Sequence, residues 1–141
     1  MKRYNFIPIK RQSIQIMSTN IFSLNHASLI VANLDVSMVF YSDVLGLQQV
    51  DRPDLGFPGA WFQLGDQQIH LLELENPDPI TGRPEHGGRD RHVALNALSL
   101  SPVQDTLNKA GIVYTMSKSG RRALFCRDPD GNAIEIIERI K

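Results

Sequence analysis

Two stretches of this chain repeat one pattern about 65 residues apart, and a repeat of that period limits the fold to a pair of small, similar units. His26 and His92, 66 positions apart, each open an apolar run. Leu34 and Leu100, also 66 apart, each stand just before an expected helix start, and His70 and Glu135, 65 apart, each sit in the middle of a closing strand pattern. Identity between the halves is poor, so the repeat lies in the order of apolar and polar positions.

The first half reads as follows. Residues 24–31 alternate, with His26, Ser28 and Ile30 on one face and Ala27, Leu29 and Val31 on the other, which is the period of a strand. Asp35 is a candidate N-cap, Val36, Val39, Phe40 and Val44 recur at helical spacing, and Gly46 is placed to stop that helix. Strand patterns follow at 47–52, 60–64 and 68–75, the last two joined by the turn Gly65-Asp66. Residues 76–91 hold three prolines, three glycines and almost nothing apolar, and read as a linker. The pattern then restarts. A strand at 92–98 precedes Ser101 and Pro102, an expected N-cap with proline in the first turn, and Gln104 completes an expected capping box. Gly111 ends that helix. Strands follow at 112–116, Ala123–Arg127 and 133–138, the last after the turn Asp-Pro-Asp-Gly-Asn at 128–132. The expected fold is α+β: tandem βαβββ units forming a curved mixed sheet around a cavity.

At 141 residues the chain is long enough for one domain with a real core and too short for two ordinary ones. The basic start, with Lys2, Arg3, Lys10 and Arg11 and no acidic residue before Asp35, is also a transit-peptide composition. Met17, followed by Ser-Thr-Asn, reads as an ordinary protein start instead. Residues 1–20 are therefore expected to be an extension outside the fold, and 21–141 a single domain with halves 24–75 and 92–139. Fifteen basic and fifteen acidic residues cancel, which argues against a broad nucleic-acid surface. No apolar run approaches the ~20 residues of a membrane helix. Cys126 is the only cysteine, so the fold cannot depend on an internal disulfide, and a cytoplasmic location is expected.

His26, His70, His92 and Glu135 interrupt apolar runs on the first and last strands of each half. If those strands are neighbours, the four side chains can converge in the cavity. Three imidazoles and one carboxylate suit a divalent ion such as Zn, Ni, Co, Fe or Mn, with one or two positions left for substrate or water.

The stretches "LNHASLIVANLDVSMVFYSDVLGL", "RHVALNAL" and "FCRDPDGNAIEIIE" resemble the vicinal oxygen chelate superfamily, which includes glyoxalase I, fosfomycin- and bleomycin-resistance proteins, methylmalonyl-CoA epimerase and extradiol dioxygenases. The resemblance covers residues 24–139. It implies metal ligands at His26, His70, His92 and Glu135, with Glu135 also the candidate catalytic base. The departure is at His70, where glyoxalase I has glutamate, the epimerase glutamine, and fosfomycin-resistance enzymes no ligand. Glu73 and Glu75 lie off the face of His70, so a glyoxalase site with two carboxylates is not reproduced. A dioxygenase triad of two histidines and one carboxylate is not matched cleanly either. The expected function is a glyoxalase-I-like metalloenzyme, a lyase or isomerase whose metal chelates two adjacent substrate oxygens. The alternatives are a non-catalytic ligand-binding protein of the bleomycin-resistance type, or dioxygenase or thiol-transferase chemistry at the same metal.

Arg83, Arg89 and Arg91 beside His86, and Lys118, Arg121 and Arg122 before the seventh strand, would favour an anionic small-molecule substrate. Trp61 and Phe62 face opposite ways, so one of them is expected to line the cavity. One half alone makes an open curved sheet with unpaired edges, and a homodimer is expected.

Overall fold

Strand alternation decides which face of each unit is dry. A computed structural model describes residues 20–139; the extension expected at 1–20 lies, apart from Asn20, outside the described residues. β1 (His26–Val31) runs parallel to β4 (Gln67–Glu73), which pairs antiparallel with β3 (Gly59–Leu64), and β3 with β2 (Gln48–Val50). The second sheet repeats this order with β5 (His92–Ala97), β8 (Ala133–Glu138), β7 (Ala123–Arg127) and β6 (Tyr114–Met116). A parallel pair requires a crossover, and each crossover begins with a helix: α1 (Leu34–Met38) in the first unit, α2 (Leu100–Lys109) in the second. The chain is therefore α+β, two βαβββ modules in tandem. Among the described residues no helix is long and apolar enough to cross a membrane.

The two modules share one core. Val31, Ile69 and Leu71 from the first sheet and Leu95, Ile134 and Ile136 from the second belong to a single buried cluster, joined by Phe40, Tyr41 and Leu107 from the helical segments. Because side chains alternate, His26, His70, His92 and Glu135 stand on the opposite faces of the same strands, away from that core.

Both helices start earlier than local sequence suggests. The N-cap of α1 is Asn33, whose Oδ1 accepts from the Val36 N–H at 3.0 Å; Asp35 lies in the first turn. The N-cap of α2 is Ser99, so Ser101 and Pro102 are already helical, and Gln104 donates to the Met116 sulfur instead of closing a capping box. In each case a carboxylate from the last strand of the same module accepts the first helical N–H. Glu73 takes that of Leu34 at 2.7 Å and Glu138 that of Leu100 at 2.9 Å. After Met38 the helix widens into a π-helical stretch, Val39–Val44, in which Leu45 N–H reaches back to the Phe40 carbonyl. The wider turn lets the adjacent rings of Phe40 and Tyr41 both point inward.

The linker is fastened by Asp90. Its side chain, 10% exposed, accepts from Arg83 and from Arg127 of β7. The Arg127 contact, with Arg83 and the Arg91 backbone N–H, holds the Asp90 carboxyl below the usual carboxylate range, against the upward effect of burial. A folded pKa below the unfolded one means stabilisation that is present above about pH 4 and lost as pH falls through the folded value. Asp90→Asn is expected to lower stability at pH 7 by about 1–3 kcal/mol, because two guanidinium groups lose their counter-ion. Chemical denaturation from pH 7 down to pH 2 checks it: the variant should converge on the wild type as the pH falls below about 4. A constant gap across that range would show that the charge of Asp90 is not what stabilises the linker.

Candidate metal centre

The repeat places the candidate ligands in matching positions. In the first sheet His26 lies opposite Gln68 and Ser28 opposite His70; in the second His92 lies opposite Ala133 and Ala94 opposite Glu135. Each pair is thus diagonal across two parallel strands, offset by two residues in the same direction. The structure brings His26 together with His70, and His92 together with Glu135. It does not bring the two pairs together: among the described residues no three of His, Cys, Asp or Glu are placed to hold one ion.

The second pair is the more fully built. His92 Nε2 and Glu135 Oε2 are 3.2 Å apart. Two donors at about 2.1 Å from one ion are separated by about 3.0–3.4 Å in tetrahedral or octahedral geometry, so this spacing fits a shared metal. The Asp90 carbonyl accepts from His92 Nδ1 at 2.8 Å, which leaves the Nε2 lone pair facing the carboxylate. Glu135 is 2% exposed, and its other oxygen accepts from Arg121 Nη2 at 3.2 Å. Phe125, directly opposite Glu135 on β7, sets its ring edge-on to His92 at 5.2 Å.

The first pair is arranged as a stack. Trp61, directly opposite His70 on β3, lies flat on the His70 ring at 4.2 Å, and His26 covers the other face at 4.1 Å. Stacked rings keep their lone pairs in separate, nearly parallel planes, so a shared ion requires one imidazole to tilt. His70 is 8% exposed, and burial, with smaller contributions from His26 and Arg52, pushes its imidazolium pKa down. The neutral ring is the form that binds metals. Gln68 Oε1 accepts from His70 Nε2 at 2.7 Å, leaving Nδ1 as the nitrogen whose lone pair can bind an ion.

Of Trp61 and Phe62, it is Trp61 that stands on the ligand face, while Phe62 is fully buried in the core. Most of the basic residues singled out in the sequence face carboxylates: Arg83 pairs with Asp90, Arg91 with Asp78, and Arg122 with Glu138. His86 lies against Phe125 and the Thr115 hydroxyl. A cleft of about 260 Å³ runs beside His92, lined by the ligand faces of both sheets through Ser28, Ile30, His92 and Ala133, with Arg91 and Asn132 at its sides. Sequence reasoning missed the roles of Gln68, Phe125 and the Asp90 carbonyl. The signal for Phe125 existed: it occupies the place in the second module that Trp61 occupies in the first.

Residues 23–136 match the family described as the Glyoxalase/Bleomycin resistance protein/Dioxygenase superfamily. A curated relative, Glyoxylase I 4 of Arabidopsis thaliana, is 36% identical over 120 residues, spanning 81% of this chain and 69% of that protein. Among solved structures, a glyoxalase family protein from Bacillus anthracis superposes with a TM-score of 0.71 at 23% identity, covering 87% of this chain and 99% of the other. A mutant of the fosfomycin resistance protein FosX from Listeria monocytogenes, complexed with Mn(II) and 1S,2S-dihydroxypropylphosphonic acid, superposes with a TM-score of 0.66 at 16% identity, covering 84% and 92%.

Proposed function

The chain belongs to the glyoxalase/bleomycin resistance/dioxygenase superfamily, and from that premise we propose that it is a metal-dependent enzyme of the glyoxalase I type, a lyase or isomerase acting on a small molecule with two adjacent oxygens. The observation that carries this reading is the pair His92–Glu135, whose donor spacing of 3.2 Å suits one ion and whose histidine is already oriented through Nδ1. His26 and His70 supply the complementary donors. Since one chain keeps the two pairs apart, the reading is a homodimer in which His26 and His70 of one chain face His92 and Glu135 of the other, giving two sites per dimer.

A divalent ion held there would supply positive charge to the two substrate oxygens and so ease loss of a proton from the neighbouring carbon. The chain's own groups do the rest. Asp90 fixes the His92 ring through its carbonyl, and Trp61 shields one face of His70 from water. Glu135 offers one oxygen as a ligand, and its second oxygen is the group placed to take the proton. Metal analysis of the purified protein, followed by a screen of thiohemiacetals of 2-oxoaldehydes, epoxides and catechols, tests the reading. Protein that carries no metal and turns over none of them rejects it.

The same reading treats residues 21–141 as the functional domain and residues 1–16 as dispensable. Deleting 1–16 is expected to leave the melting temperature and the metal content unchanged. A loss of either, measured by calorimetry and by elemental analysis, would show that the segment belongs to the fold.

A further inference from the structure

A carboxylate as buried as Glu135 requires a cation, and in this structure Arg121 provides one. Its Nη2 donates to Glu135 Oε1 at 3.2 Å, while its side chain stays 56% exposed. The pair differs from the Arg83–Asp90, Arg127–Asp90 and Arg122–Glu138 pairs. Asp90 fastens the linker and Glu138 caps α2, whereas the partner of Arg121 is a candidate metal ligand. Arg121 also sits on the 117–122 segment between β6 and β7, where Gly120 adopts a φ of +81°. There its Nε donates to the Ser119 hydroxyl at 3.2 Å, and the Ser117 and Ser119 hydroxyls bond to each other. The arm can therefore leave Glu135 without breaking a strand ladder.

We propose that Arg121 is an exchangeable counter-ion. It neutralises Glu135 while no metal is held, and it turns to a carboxylate or phosphate of the substrate once Glu135 gives its Oε2 to a divalent ion, leaving Oε1 free for the proton. This rests on the metal reading above. Two cations sharing one buried carboxylate repel each other, and the half-exposed guanidinium is the one free to move. Its planar fork matches carboxylate and phosphate groups. The substrate class is thereby narrowed to a small anion with two adjacent chelating oxygens and a further negative group at the edge of the site.

The test uses full-length protein with Arg121→Gln and, as a charge-matched control on the next residue, Arg122→Gln. Zinc affinity is measured by competition with a chelator. Arg121→Gln should hold zinc about five- to ten-fold more tightly than the wild type, since no guanidinium has to be displaced, and Arg122→Gln should match the wild type. Calorimetric titration of the zinc-loaded proteins then compares malate with lactate, which offer the same chelating pair with and without a second carboxylate. The wild type should prefer malate by about ten-fold, and Arg121→Gln should show no preference. Metal-free wild type should bind neither. An Arg121→Gln protein with unchanged or weaker zinc affinity, or with the wild-type preference for malate, overturns this inference and leaves the metal reading standing. A wild type that holds no zinc overturns both.

Discussion

Chains carrying His70→Ala and chains carrying Glu135→Ala, each unable to hold metal alone, are expected to recover metal when mixed. As homodimers, each variant lacks one donor in both sites, and the expected loss of affinity is at least ~100-fold, more than the removal of a supporting group costs. In a mixed dimer the two lesions fall in one site, and the other site is made of an intact His26–His70 pair and an intact His92–Glu135 pair. With free exchange of equal amounts, half of the dimers are mixed, so about a quarter of the wild-type metal content should return. Elemental analysis after co-refolding measures it, and light scattering on the same samples verifies the dimer. Recovery of nothing, from a mixture shown to exchange subunits, would mean that the four residues do not form one site across two chains. The reason to expect recovery is geometric: His92 Nε2 and Glu135 Oε2 are spaced for one ion, yet among the described residues of one chain no third donor is placed to join them.

Asp128→Ala should cost the fold about 3–5 kcal/mol, the largest single effect on stability expected here. Asp128 is 5% exposed and its carboxylate accepts four hydrogen bonds. Its Oδ1 receives the Asp130 and Asn132 backbone N–H groups at 2.9 and 2.8 Å, and its Oδ2 receives the Tyr41 hydroxyl at 2.7 Å and the Asn132 amide at 2.9 Å. Burial pushes the Asp128 carboxyl up, while these donors hold it down. The same contact fastens the modules to each other, since Tyr41 lies in the first and Asp128 in the second. The Asn132 side-chain amide donates a hydrogen bond to the Ile30 carbonyl at 3.1 Å, and Asp130 accepts from Ala32 N–H at 2.9 Å. Alanine at 128 would strand a fully buried phenol and unmake the turn that positions β8. A melting temperature lower by about 10–15 °C is expected in calorimetry. Tyr41→Phe, which removes one donor and leaves the turn whole, should cost about 1 kcal/mol. If Asp128→Ala costs no more than Tyr41→Phe, the turn forms without the carboxylate and the coupling of the modules rests on the apolar core and the other hydrogen bonds between them.

The two stretches that most mark the family resemblance, around Tyr41 and at 128–132, turn out to meet at this bond. Sequence could show each stretch but not their contact, because nothing local in either one refers to the other, 87 positions away. The helix starts illustrate the same limit. Ser101-Pro102 and Asp35 are reasonable starts on local grounds, but Glu73 and Glu138 arrive from the far strand of each module and accept the N–H of an earlier residue. A capping group supplied across a sheet leaves no trace in the helix's own sequence.

What the sequence by itself determined is what periodicity can carry. Two βαβββ units, the strands that bear His26, His70, His92 and Glu135, and the face of each strand on which they stand all follow from alternation and from the 65-residue repeat. Tertiary structure alone decided how those residues are grouped. Parallel pairing of first and last strands joins His26 to His70 and His92 to Glu135. The shared core then claims the opposite faces of both sheets, leaving the two pairs outside it and apart from each other. It also decided which arginines have partners, and set Arg121 on Glu135. The physical reason is that periodicity records which side of a strand is apolar, whereas the meeting of two sheets depends on packing between residues that share no local pattern.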